Sequence, residues 1–127
     1  MVTQSFGRCC LAENFFDTFY DVFLASSPEI PPHFANTDMV RQKKVLKNSL
    51  VFVIMFGKGR QYAKEVVDDL AVKHSHRELD IKPHLYDFWL QSLIESIRRH
   101  DSEFCGELAT GWSVVVSKAI ERMRSEY

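Results

Sequence analysis

An all-α fold is predicted by three features of this 127-residue chain. Apolar side chains recur at spacings of three and four almost throughout, the period of a helix that turns one face to a core. No segment alternates apolar and polar residues as a half-buried strand would. Proline, glycine and short polar runs fall between the periodic segments, where they end one helix and let the next begin. The expectation is about five or six helices in one domain over residues 1–127, with no repeat and no linker.

Each element has its own justification. Residues 1–11 form a short lead of one or two turns. Phe15, Phe16, Phe19, Tyr20 and Phe23 then give a wide aromatic face to a helix over about 12–25, which Ser26, Ser27 and Pro28 end. Pro31 and Pro32 fix the backbone and withhold amide donors, so a tight turn delivers Phe34 at a corner. Asn36, Thr37 and Asp38 can each cap the next helix. That helix, about 39–56, carries Gln42, Leu46, Leu50 and Val53 along one side and stops at Gly57-Lys58-Gly59. Gln42 thus sets a polar amide beside an apolar wall, for which a solvated helix start is the ordinary explanation.

A helix from about 61 to 74 or 75 follows, and the polar run Arg77-Glu78-Leu79-Asp80 breaks it before Ile81 and Pro83. The next, about 84–100, buries Leu85, Phe88, Trp89, Leu93 and Ile97. The last, about 102–124, sets Phe104, Leu108, Trp112, Val115, Ala119 and Met123 at helical spacing.

Composition excludes several classes of function. Sixteen basic against seventeen acidic residues leave a net charge of −1, which offers nothing to nucleic acid or an anionic membrane. The longest apolar run, residues 50–56, is seven residues, against the roughly 20 needed to span a bilayer. Residues 1–11 lack the basic head and apolar run of a targeting segment. Cys9, Cys10 and Cys105 are odd in number and form no CxxC pair, which suits free thiols in a reducing compartment. A soluble cytoplasmic protein, monomeric or homodimeric, is expected.

One stretch carries candidate chemistry. In the helix over 61–74, Val66, Leu70 and His74 project from one face, with Val67 and Ala71 flanking them. A neutral imidazole is a good metal ligand, yet this one has no second His or Cys at metal-cage spacing. It suits haem iron, whose macrocycle supplies four ligands so that the protein need supply only one. It also suits a histidine that merely completes a helix end, and the stripe by itself leaves both open. His76 lies two residues on, about 200° round the helix, so it cannot share the face of His74. His33, His84 and His100 sit at turns or helix ends and read as surface residues. Arg98, Arg99, Arg122 and Arg124 read as solvated side chains near helix C-termini.

Phe19-Tyr20, Pro28-Glu29-Ile30, Phe34, Gln42, Leu46, Leu70-Ala71-Val72-Lys73-His74, Tyr86 and Trp112 together resemble the globin pattern of bacterial single-domain haemoglobins and of the haem domains of flavohaemoglobins. The resemblance extends over nearly the whole chain. Its most specific part is the ordered set Tyr20, Phe34, Gln42, Leu46 and His74. It implies a globin fold with a shortened N-terminal helix around a pocket for haem b, iron protoporphyrin IX. His74 would be the proximal iron ligand, Leu70 would lie one turn earlier beneath the haem, and Phe34 would pack flat on the porphyrin. Tyr20 and Gln42 match the distal positions that hydrogen-bond a ligand, while Leu46 and Val45 close the apolar wall. Ile81 and Trp89 complete the pocket; Trp89 resembles a tryptophan that borders the ligand in some truncated globins, and core packing is its alternative. His76 would reach a haem propionate or solvent, and Tyr20 or Lys43 could approach ferric iron.

The resemblance implies reversible binding of dioxygen, with nitric oxide, carbon monoxide or cyanide as other ligands. A second implication is nitric oxide dioxygenase activity. That would need a separate reductase, since no Gly-rich dinucleotide or flavin fingerprint occurs here. A third is a gas or redox sensor or interaction module acting through a partner protein.

Overall fold

Six helices carry the chain in the computed structural model, which describes residues 1–127: α1 Val2–Leu11, α2 Phe15–Ser26, α3 Met39–Gly57, α4 Lys64–His74, α5 Leu85–His100 and α6 Gly106–Ser125. Short 3-10 turns at Pro31–Phe34 and Gln61–Ala63 lead into α3 and α4, and no strand forms. None of the helices is long and apolar enough to cross a membrane.

Of the three candidate caps before α3, Asp38 serves: its carboxylate accepts from the main-chain N–H groups of Val40 and Arg41 at 3.1 and 3.3 Å. At the other end Gly59 has φ +81°, a left-handed conformation that glycine adopts without strain, and the chain leaves the helix there. Helix α4 starts at Lys64 rather than 61, because the backbone first winds more tightly through Gln61–Ala63. The start of α6 also lies later than its apolar spacing suggests. Asp101 turns its buried carboxylate inward and accepts the Glu103 N–H at 3.0 Å, which holds residues 101–104 in a turn and delays the helix to Gly106.

The largest departure from expectation is at the N-terminus. The lead is a ten-residue helix rather than one or two turns, and Val2, Ser5 and Cys9 are buried on it. The Ser5 hydroxyl donates to Asp101 at 2.6 Å, and the Trp112 indole N–H donates to Ser5 Oγ at 3.0 Å. Arg8 forks onto the same carboxylate, with N–O distances of 2.6 and 3.0 Å. Charge-assisted hydrogen bonds therefore dock this short helix alongside its apolar contacts, Val2 and Cys9 in the core and Phe6 edge-on to Trp112 at 6.3 Å.

Helix α2 packs chiefly on α5, while α3 and α4 both pack on α6. Phe15, Phe19, Leu50, Leu93, Ile97, Trp112 and Val116 form the fully buried centre. At the α3–α6 crossing, a methyl group placed on Gly57 would collide with the Val115 carbonyl, so only glycine lets the two backbones come this close. That close crossing at one end, with α4 laid along α6, leaves an apolar cavity framed by α2, α3, α4, α5 and α6.

Candidate functional site

The cavity encloses about 990 Å³ counting its open mouth, and its walls are predominantly apolar. An apolar space of this size with a few polar groups directed into it is the usual form of a cofactor site.

Helix α4 supplies one wall. Val67 and Ala71 are fully buried and pack into the core, whereas Leu70 and His74 line the cavity. The expected stripe therefore divides: Val66 is half-buried and off the cavity wall. The His74 Nδ1–H donates to the Leu70 carbonyl at 2.7 Å, which fixes the ring and leaves Nε2 without a hydrogen-bond partner. No buried side-chain nitrogen or oxygen in the protein lacks a partner, so Nε2 meets open space. Burial pushes the imidazole below its ordinary pKa, the Leu70 bond opposes that, and the nearby Lys73 ammonium adds to it. The ring is thus a neutral donor with its lone pair on Nε2.

Helices α2 and α3 contribute a polar pair. Gln42 Nε2 donates to the Tyr20 hydroxyl at 3.1 Å. Because the phenol oxygen accepts this bond, its own proton remains available to another acceptor in the cavity. Burial pushes Tyr20 up to about 12, the Gln42 bond acting in the other direction, so the phenol keeps its proton at neutral pH. Phe34, on the Pro31–Phe34 turn, meets the edges of Tyr20 and Phe23 at centroid distances of 5.7 and 6.1 Å. Tyr86 on α5 lies 6.5 Å from the His74 ring at 39°, and burial pushes its phenol up to about 12.

No three His, Cys, Asp or Glu side chains converge anywhere, so no metal cage forms, and the imidazoles on the cavity wall are those of His74 and the exposed His33. Such a site fits a metal that brings its own equatorial ligands in an apolar body.

No family model matches the chain, and neither does any curated protein. Among solved structures, a Pseudomonas aeruginosa protein described as structurally highly homologous to a human haemoglobin aligns with a TM-score of 0.94. It is 40% identical and covers 99% of this chain and 95% of its own. The chain belongs to the globin family.

Every site residue drawn from the sequence lies on one wall or another of the globin cavity. Tyr20, Phe34 and Gln42 line it together with His74, and Val45, Leu46, Leu70, Ile81 and Trp89 complete that set. Trp89 also meets Phe19 edge-on at 6.0 Å, so it serves cavity wall and core at once. Gln42 is no solvated helix start, because its amide is spent on Tyr20.

Of the other readings, the exposure of His33, His76 and His84 holds, and several partners need correction. His33 is exposed yet lines the cavity, brought there by the proline turn before Phe34. His100 is half-buried and shares a 2.7 Å hydrogen bond with Thr18, while His84 stays exposed and pairs with Glu29 at 2.6 Å. His76 is exposed and off the cavity, against Tyr127. Lys43 is engaged by Asp17 at 2.6 Å and does not line the cavity. The arginines at helix ends are paired rather than merely solvated: Arg98 and Arg99 on Glu95, Arg122 on Asp68, and Arg124 on Asp87.

Sequence reasoning leaves out Ser49, takes Tyr86 only as part of the family pattern and reads Ala119 and Met123 only as core, yet all four line the cavity. Ser49 lies seven residues after Gln42, hence on the same face of α3, and that spacing could have revealed it. For the α6 residues no local signal exists, since cavity wall and core are equally apolar.

Proposed function

We propose that this globin binds haem b through His74 and reversibly takes dioxygen or another diatomic ligand beside Tyr20 and Gln42. The observation that carries the reading is a single cavity with a bare imidazole Nε2 on one wall and a paired phenol and amide on another. When bound, the haem supplies an iron with four ring nitrogens and one open position for a diatomic ligand. The chain does the rest. The Leu70 carbonyl orients His74 and makes it a stronger donor. Phe34 offers a flat apolar surface to the macrocycle, while Leu46 and Ile81 exclude water and the exposed Val45 borders the same wall. Tyr20, aligned by Gln42, has a proton to give to a ligand oxygen that gains negative charge.

The globin family and the likeness to a haemoglobin-like bacterial structure support this reading. The donor set supports it too, because a cavity without three converging ligand side chains cannot cage a bare metal ion. Titration of the purified chain with haemin tests it. The parent should give a Soret band with the spectrum of an imidazole-ligated iron, and His74→Ala should lose that axial signature. No Soret band in the parent, or an unaltered axial spectrum in the variant, would overturn it.

A further inference from the structure

Charge is divided unevenly over the outer surface, and the division falls along the seam between α2 and α3. Residues 12–32 carry the acidic side chains of Glu13, Asp17, Asp21 and Glu29 and no lysine or arginine. Residues 39–57, the whole of α3, carry Arg41, Lys43, Lys44 and Lys47 and no acid. Helices α4, α5 and α6 instead mix the two signs and pair them internally: Lys64 with Asp68, Arg98 and Arg99 with Glu95, and Arg122 with Glu126. A solvated face is usually built in that mixed way, because like charges one turn apart repel.

On α3, Val40, Lys44, Lys47 and Val51 stand in one row at helical spacing, and all of them are exposed. Across the seam, Asp17 and Asp21 lie one turn apart on α2, with Glu13 in the turn before it, and these too are exposed. One ion pair joins the two sides, Lys43 on Asp17 at 2.6 Å, and it fixes the acidic row beside the basic one. Lys44, Lys47, Glu13 and Asp21 have no ion-pair partner within the chain.

Two such rows side by side make a surface complementary to itself. A two-fold axis along the seam sets the acidic row of each copy against the basic row of the other, the isologous arrangement in which one patch serves both partners. Val40 and Val51 add apolar area among the charges. An acidic protein of another kind, or an anionic membrane, would be drawn to the basic row and repelled by the acidic one beside it.

We propose that the α2–α3 seam is the interface through which two copies of this chain associate, Glu13 and Asp21 of one facing Lys44 and Lys47 of the other. Tyr20 and Gln42 are carried by the same two helices, so the interface backs on the polar pair of the cavity. The association does not depend on haem, and its test stands apart from that of the cavity.

Sedimentation equilibrium of the full chain tests it. The parent should form a dimer at low salt. Raising salt from about 0.1 M to about 1 M shortens the screening length from about 10 to about 3 Å and should weaken association by about 10-fold or more. Lys44→Glu with Lys47→Glu should be monomeric, and so should Glu13→Lys with Asp21→Lys, each with the far-UV spectrum of the parent. Mixed in equal amounts, the two variants should form a one-to-one dimer, because each row again meets the opposite charge. A parent that stays monomeric, a variant that still self-associates, or a mixture that fails to associate overturns the interface. A monomeric parent that binds phosphatidylglycerol vesicles would overturn it in favour of a membrane surface.

Discussion

At Tyr20 the direction of a single hydrogen bond decides the chemistry. Had the phenol donated to Gln42, its proton would be spent; because it accepts, the proton stays free within an apolar wall. A hydrogen bond to a partly charged acceptor contributes about 1.5 to 3 kcal/mol, or roughly one to two decades of affinity. Tyr20→Phe in the haem-loaded protein should therefore speed dioxygen release by about 10- to 100-fold, as read by stopped-flow displacement. Gln42→Leu should speed it less, since it removes the group that orients the phenol but leaves the phenol's own proton in place. Unchanged release in both variants would remove this pair from the ligand site.

Among the elements, the α3–α6 crossing sets the geometry of the cavity. Gln42 to Val53 on α3 and Ala119 to Met123 on α6 line it, and Gly57 allows the two helices to touch at one end. Two effects oppose each other in Gly57→Ala. Alanine favours the helix by up to about 1 kcal/mol. Its methyl would run into the main chain of Val115, which cannot swing aside as a side chain can, and overpacking of this kind costs about 1 to 3 kcal/mol. The steric effect wins, so urea denaturation should show a net loss of stability and haemin affinity should fall as the helices part. A variant as stable as the parent would mean that the crossing relaxes freely.

For the molecule as a whole, Asp101 joins what is far apart in the chain. Its carboxylate, with no exposed side-chain surface, gathers Ser5 and Arg8 of α1, and Ser5 in turn holds Trp112 of α6. The Arg8 guanidinium, then Ser5 and the Glu103 N–H, hold this carboxyl down at about 2 against the opposing effect of burial. The folded carboxyl binds its proton less readily than the unfolded one, so folding is favoured while Asp101 is ionised. That contribution is complete above about pH 4 and is lost as pH falls toward about 2. Screening around the partly exposed Arg8 reduces it to the order of 1 kcal/mol. Urea midpoints measured across this window should fall with acid in the parent and respond less in Asp101→Asn. An equal response in both would assign the acid sensitivity to other carboxylates.

Helix positions, the aromatic face of α2 and the isolation of His74 are legible in the sequence because each depends on residues within a few turns of one another. Periodicity, proline and glycine act locally, and a resemblance built on Tyr20, Phe34, Gln42, Leu46 and His74 reads their order along the chain. Pairings across the fold are not written in that order. Nothing near Gln42 says that its amide ends on a phenol 22 positions earlier, and nothing near Ser5 or Arg8 announces a carboxylate more than 90 residues away. Cavity wall and core share one apolar composition, so Ala119 and Met123 become pocket residues only once helices are packed. The sequence by itself therefore determines where most of the helices form and which imidazole is the candidate ligand. Tertiary packing alone decides what each polar group meets, because hydrogen bonds are spent on neighbours in space.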